Sequence, residues 1–310
     1  TKEKEKSLKL LEHLCQGIAC DTHPEFIEVT ERKCYIIYSM SKSSSNKFLK
    51  TAVSAARLAG DIILKNLGHL STSDIQTKQA FDFVTKVDRW SEAVIMQTIR
   101  EKFPSHTFLA EETLKQEETD NYRWIIDPLD GTTNYIHSYP MFSVSIALEY
   151  QKEIIVGVVF DPLKDELFHA VRSKGAFLNN RQITSSEIRL LEGSLIATGF
   201  PFRAKEMIDL YLNAFRQVFE KVSDIRRAGS AAIDLAYVAA GRFEGFFELK
   251  LSPWDIAAGS LLITEAGGLI TDFGGGNDYL STGNVVAGNT FIQPQILKEI
   301  RHVFTGAVEK

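Results

Sequence analysis

From Asn46 onward the apolar positions repeat regularly, and the period of the repeat changes along the chain. Leu49, Val53, Ala56, Ala59, Ile63 and Leu67 recur at helical spacing, and Gly68 closes the run. A second helix is predicted over residues 89–102, stopped by Pro104. Strand-like segments follow at 122–126, 142–150, 154–160 and 166–171, with turns at Gly175 and at Asn179-Asn180. Their close succession predicts a meander of adjacent antiparallel strands. The second half alternates: strand 194–198, helix 204–221, strand 224–227, helix 230–240, strand 245–249, helix 253–266, then strands near Leu269 and Val285. Interleaved helices and sheets predict a layered architecture. After residue 46 the pattern shows no internal repeat and no long linker.

Residues 1–46 stand apart. They hold all three cysteines (Cys15, Cys20 and Cys34), a mixed-charge start from Lys2 to Lys6, and a serine-rich stretch from Ser41 to Ser45. An odd, clustered cysteine count gives no disulfide framework, and adding His13 or His23 produces no common zinc spacing. Met40 precedes the serines. One expectation makes it the natural start, with residues 1–39 an upstream extension; the plainer one is a small, loosely packed appendage. The chain is accordingly divided into an extension of unknown role, 1–46, and one catalytic domain, 47–310.

Composition narrows the class. With 44% hydrophobic and 24% charged residues, the chain matches an ordinary globular protein. A net charge of −5 lacks the basic excess of a nonspecific nucleic-acid binder. No apolar run approaches the roughly 20 residues that span a bilayer. Glu12 and His13 interrupt the opening apolar stretch, which argues against a secretory signal. A cytoplasmic protein without membrane association is expected.

Four acidic segments carry the candidate chemistry. In the first, the apolar Trp124-Ile125-Ile126 runs into Asp127-Pro128-Leu129-Asp130-Gly131-Thr132-Thr133. Pro128 is predicted to end the strand, Gly131 to permit a tight turn, and the threonines to open a short helix whose free amides can hold a phosphate. Taken alone, Asp-Pro-x-Asp-Gly reads first as a strand-ending turn; the threonines and the strand before it weaken that reading. The second segment, Ala110-Glu111-Glu112, follows the strand-like Thr107-Phe108-Leu109; two acids there are costly to bury without a partner, and alone they read as a solvated loop. In the third, Ser252-Pro253-Trp254-Asp255, Ser252 suits a helix cap, Pro253 the first helical position and Asp255 the first turn, so plain capping would account for it. In the fourth, Asp82-Phe83-Val84-Thr85-Lys86-Val87-Asp88, a short strand enters a helix. Asp88 is explained as a cap, whereas Asp82 has no such local duty.

These four segments, in this order, resemble the inositol monophosphatase family from about Lys47 to the C-terminus. Residues 124–137 resemble its first signature and 254–259 its second; segments 226–235 and 241–248 resemble its bacterial branch. The resemblance implies an α+β fold of αβαβα layers, a homodimer, lithium sensitivity, and a phosphatase using two or three Mg²⁺. It assigns Glu111, Asp127, the Leu129 carbonyl, Asp130 and Asp255 to the metals. Thr132, oriented by Asp82, would position the attacking water, and Glu111 would share in catalysis. The Gly131 and Thr132 amides would hold the phosphate, while Asp130, Ala231, Glu248 and Asp255 would lie along the alcohol. Ala110 stands where many members have glycine, a change that leaves the metal ligand intact.

Elementary electrostatics agrees. Two carboxylates about 4 Å apart repel by about 4 kcal/mol at an effective dielectric of about 20, so a cluster must be protonated or neutralised. Hard oxygen ligands without cysteine or histidine favour magnesium over zinc. Bound Mg²⁺ would activate a water and stabilise the leaving oxygen, without a catalytic histidine. His137 and His169 are therefore read as surface or packing residues. Inositol monophosphate is the expected substrate, since Glu248 can accept from its hydroxyls; fructose 1,6-bisphosphate is the rival, and a nucleotide phosphate ranks behind both. A different class of function is a non-catalytic role in transcription antitermination, because the bacterial branch includes a member with that second role. Arg226 and Arg227 would then offer a partner surface for the transcription-elongation machinery; the simpler reading is ion pairs on the fold surface or at a dimer interface.

Overall fold

The computed structural model describes residues 42–79, 82–113, 121–202 and 204–304. Cys15, Cys20, Cys34 and Met40 lie outside that set. The fold is that of the unit beginning at Ser45.

Two helices, α1 (Lys42–Asn66) and α2 (Lys86–Arg100), flank a hairpin of β1 (Ile75–Gln79) and β2 (Asp82–Thr85). The spacing read from Leu49 to Leu67 is that of α1, whose Ala52, Ala55, Ala56, Ala59 and Ile63 are fully buried. Next comes the meander: β3 (Thr107–Ala110), β4 (Tyr122–Asp130), helix α3 (Thr132–Ile136), β5 (Ser143–Tyr150), β6 (Glu153–Asp161), β7 (Glu166–Val171), β8 (Ala176–Leu178) and β9 (Arg181–Ile183). These strands form a seven-stranded sheet in chain order, antiparallel except for the parallel β3–β4 pair.

One expectation fails here in an instructive way. Pro128 does not end its strand; β4 runs through it to Asp130. The ladder accommodates the missing N–H by slipping: Asp127 pairs with Ser145, but Asp130 pairs with Ser143. Three steps on β4 thus match two on β5, a bulge that turns the strand end toward the site.

The second half builds a mixed sheet from β10 (Leu195–Thr198), β11 (Asp224–Arg226), β12 (Gly245–Glu248), β13 (Leu269–Thr271) and β14 (Val285–Gly288), in the order β11-β10-β12-β14-β13. Helix α4 (Ile208–Phe219) joins β10 to its parallel neighbour β11, and α5 (Ala231–Ala239) lies between β11 and β12. Helix α6 (Pro253–Glu265), the one-turn α7 (Tyr279–Thr282) and the C-terminal α8 (Ile292–Phe304) complete the set.

Packing orders these parts into layers. Helix α5 is buried on every side and α6 from Asp255 to Ile263, as expected of helices apolar all round. They share one core with Ile125, Ala147 and Val159 of the large sheet and with Phe246 and Ala287 of the small one. On the far side of the small sheet, Tyr211, Ala214 and Val218 of α4 meet Ile292, Ile296 and Ile300 of α8 over Phe247 and Val286. Helices α1 and α2 cover the outer face of the large sheet: Gly60 abuts Phe160, and Tyr135 donates to the Ile63 carbonyl at 2.8 Å. The layers therefore run helix, sheet, helix, sheet, helix, the αβαβα order. Among the described residues, no helix is long and apolar enough to cross a membrane.

Candidate active site

A cavity of about 340 Å³ lies where the ends of β4 and β12 meet the starts of α3, α5 and α6. All ten residues singled out above line it: Asp82, Glu111, Asp127, Leu129, Asp130, Gly131, Thr132, Ala231, Glu248 and Asp255. They come from segments far apart in the chain, each delivered by local structure.

Strand periodicity places two of the acids. Asp127 lies on the Ile125 face of β4, toward the central helices, and Glu248 on the Phe246 face of β12. Asp255 occupies the third position of α6, where the Ser252 amide donates to its Oδ2 at 2.7 Å. Asp130 Oδ2 accepts from the Ser230 hydroxyl at 2.5 Å and the Ala232 amide at 2.8 Å, which ties the start of α5 to the end of β4. Asp127 Oδ1 accepts from the Leu129 amide at 2.9 Å.

Asp127, Asp130 and Asp255 are all buried, and one carboxylate oxygen from each lies within 4.8 Å of the others. Burial pushes the Asp127 pKa well above the carboxylate range, and the charges of Glu111, Asp130 and Asp255 push it further. Three buried aspartates forced together fit a hard divalent cation; as hard-oxygen donors without sulfur or nitrogen they suit magnesium.

Glu111 stands beside this trio with a cation of its own. Lys78 Nζ, at the end of β1, reaches Glu111 Oε1 at 3.0 Å and Glu112 Oε1 at 2.5 Å. Burial opposes charge on Lys78, but the two acids raise its pKa overall. One ammonium does not satisfy two carboxylates. Burial and the neighbouring Glu111 outweigh Lys78 at Glu112 and lift it to about 7.

The structure corrects the assignment around Thr132. Gly131 caps α3 with φ +94°, where a side chain would also strike the Met141 carbonyl. The Thr132 hydroxyl then lies 2.9 Å from Asp88 Oδ1 and 3.1 Å from the Leu129 carbonyl. The acceptor orienting Thr132 is thus Asp88, in place of Asp82, which lines the cavity from β2. Asp88 is also the helix cap that the sequence suggested, because its Oδ2 accepts from the Thr85 amide at 2.8 Å and the Thr85 hydroxyl at 2.6 Å. Capping uses one carboxylate oxygen and leaves the other to act. Burial lifts the Asp88 pKa to about 6, against the hydrogen bonds from Thr85 and Thr132.

Two further residues line the cavity: Asp234, to which the sequence reading gave no role, and Arg227, which it read as a partner surface or surface ion pair. Asp234, on the apolar helix α5, is buried, and its Oδ1 meets no hydrogen-bond donor among the described residues. Burial, then Glu248 and Asp130, push its pKa well up, while Arg227 pulls the other way. A lone acid in an alanine-rich helix was the signal available. Arg227 lines the cavity and rests 5.8 Å from the Phe200 ring centroid, whereas Arg226 pairs with Asp224 at 2.5 Å. His137 is exposed just beyond α3, and His169 stacks on Phe177 at 5.3 Å.

Comparison with known proteins places this geometry. The sequence profile described as the inositol monophosphatase family matches residues 44–304. Nus factor SuhB of Escherichia coli (strain K12) is 48% identical over 263 residues, 84% of this chain and 98% of that protein. The crystal structure of extragenic suppressor protein suhB from Bartonella henselae shares 43% identity with a TM-score of 0.78, over 82% of this chain and 98% of that one. The inositol monophosphatase from Anabaena (Nostoc) sp. PCC 7120 shares 40% identity with a TM-score of 0.74, over 83% and 96%. With its layers, its acidic cavity and these likenesses in agreement, the chain belongs to the inositol monophosphatase family.

Proposed function

We propose that the protein is a magnesium-dependent phosphatase hydrolysing a phosphate monoester of a small polyol, inositol monophosphate foremost. The carrying observation is the trio Asp127, Asp130 and Asp255, gathered within 4.8 Å beside the Thr132–Asp88 pair. The residues that would hold two or three Mg²⁺ are Glu111, Asp127, the Leu129 carbonyl, Asp130 and Asp255. Bound there, the metal would offset their charge and that of the phosphate, and acidify a water.

The chain's own groups do the positioning. Asp88 holds the Thr132 hydroxyl, which orients the water for attack on phosphorus. The amides of Gly131 and Thr132 face the phosphate oxygens. Ala231 and Glu248 lie along the alcohol, where Glu248 accepts from hydroxyls; Asp130 and Asp255 serve both metal and substrate. We assign this activity to residues 47–310, with 1–46 an appended segment, and expect a homodimer sensitive to lithium.

The test is a phosphate-release panel with Mg²⁺: inositol 1-phosphate, fructose 1,6-bisphosphate, 3′-phosphoadenosine phosphate and NADP. Inositol 1-phosphate should be cleaved best; release unaffected by EDTA overturns the mechanism. A second reading is favoured by the name Nus factor that relatives carry: a role in transcription antitermination through contact with the elongation machinery. A cellular role that survives Asp127→Asn, with capture of RNA polymerase, would place that reading first.

A further inference from the structure

Gly199 follows β10 and lines the cavity beside Glu248. The parallel pairing of β10 with β12 sets Thr198 opposite Phe247, so the next residue on each strand comes alongside. A Cβ built at position 199 would lie 2.0 and 2.2 Å from the Glu248 carboxylate oxygens and 2.1 Å from its Cδ. The φ of Gly199 is not in the left-handed region, so the backbone itself places no demand for glycine there. What excludes a side chain is the carboxylate of Glu248, a buried residue, which occupies that volume.

We infer that Gly199 is a specificity-determining position, whose missing side chain is the space from which Glu248 faces the alcohol part of the substrate. This rests on the phosphatase reading of the cavity and deepens it. The obstructing atoms are the end of a flexible side chain, so a methyl group at 199 displaces the carboxylate and leaves the fold standing. A substrate hydroxyl that donated to Glu248 is then left without its acceptor, a loss worth about tenfold or more in discrimination. An ester whose alcohol carries no further hydroxyl has nothing to lose there. Gly199 is thus a positioning residue that acts through Glu248, and the favoured substrate class is a hydroxyl-rich alcohol.

The experiment compares myo-inositol 1-phosphate with phenyl phosphate under Mg²⁺. For Gly199→Ala the ratio of the two kcat/KM values should fall by about tenfold, carried mainly by the KM of the inositol ester. Glu248→Ala should give the same fall, and the double variant should fall no further. Equal losses on both esters, or losses that add in the double variant, overturn the inference. A crystal structure of Gly199→Ala decides it independently of turnover: a displaced Glu248 carboxylate supports it, and an undisturbed one overturns it. Should Gly199→Ala fail to fold, Gly199→Ala with Glu248→Ala must fold, because the obstructing side chain is gone; two unfolded variants overturn it. If the wild-type chain cleaves no ester, the phosphatase reading falls, and the crystal structure still decides the placement of Glu248.

Discussion

Two groups of acids stand side by side in this molecule and solve the same electrostatic problem differently. Glu111 and Glu112 share a lysine supplied by the chain, Lys78 at the end of β1. Asp127, Asp130 and Asp255 accept from neutral donors: the Leu129, Ala232 and Ser252 amides and the Ser230 hydroxyl. Neutral donors soften repulsion among buried carboxylates without cancelling charge. The difference separates acids that draw on a lysine of the chain from acids that draw on backbone amides and a hydroxyl. The trio sits at strand and helix termini and draws on these donors, whereas the glutamate pair shares a cation of the protein itself.

The strongest way to break this contrast is Asp127→Asn. Phosphate release should fall by about a thousandfold or more, since several kcal/mol of transition-state stabilisation is at stake at about 1.4 kcal/mol per decade. The same variant should melt higher than wild type in EDTA and lose its rise in Tm with added Mg²⁺. A normal Mg²⁺ response would remove the distinction between the two groups. Asp88→Ala comes next: kcat should drop by about a hundredfold with KM little changed, and the lost cap should cost about 1 kcal/mol by urea unfolding. Lys78→Met sharpens the contrast from the other side, by making the glutamates resemble the trio. Without Mg²⁺ it should destabilise by about 2 kcal/mol, and Mg²⁺ should recover part of that loss.

The smallest expected effect is a pH dependence at Asp234. Its folded pKa is raised, so the native state holds that proton more tightly than the unfolded chain does. Wild type therefore loses stability from this group as pH climbs above about 4, the unfolded value. Asp234→Asn should be the more stable protein at pH 7, and the advantage should vanish below about pH 4. Urea unfolding at both pH values checks this; a constant difference would mean that Asp234 is already matched in the fold.

Local patterning made much of the fold readable. The helical spacing of Leu49 to Leu67 and the meander follow from periods of 3.6 and 2 that tertiary contacts left intact, and α6 from its nearly unbroken apolar run. What stayed hidden depended on distant partners. Pro128 reads as a stop, and only the slipped register against β5 reveals how a strand carries it. Helix α8 has Ile292, Ile296 and Ile300 at helical spacing, but Pro294 in its first turn masks the start. The order β11-β10-β12-β14-β13 is set by packing across helices and has no local signature. At the site, the acids were legible because unusual polar residues interrupted apolar runs. Lys78 and Gly199 were not, since a lysine in a short edge hairpin and a glycine after a strand are ordinary until Glu111 and Glu248 are seen beside them.

The double engagement of Asp88 ties two selective pressures to one codon. Its Oδ2 closes the front of α2 while its Oδ1 steadies Thr132. Homologous chains that abandon turnover still need that helix to begin in the same place, so the aspartate should persist in them. Its presence in a genome therefore testifies to a folded relative and is no census of working enzymes; Thr132, which carries no such structural mortgage, is the better marker to count.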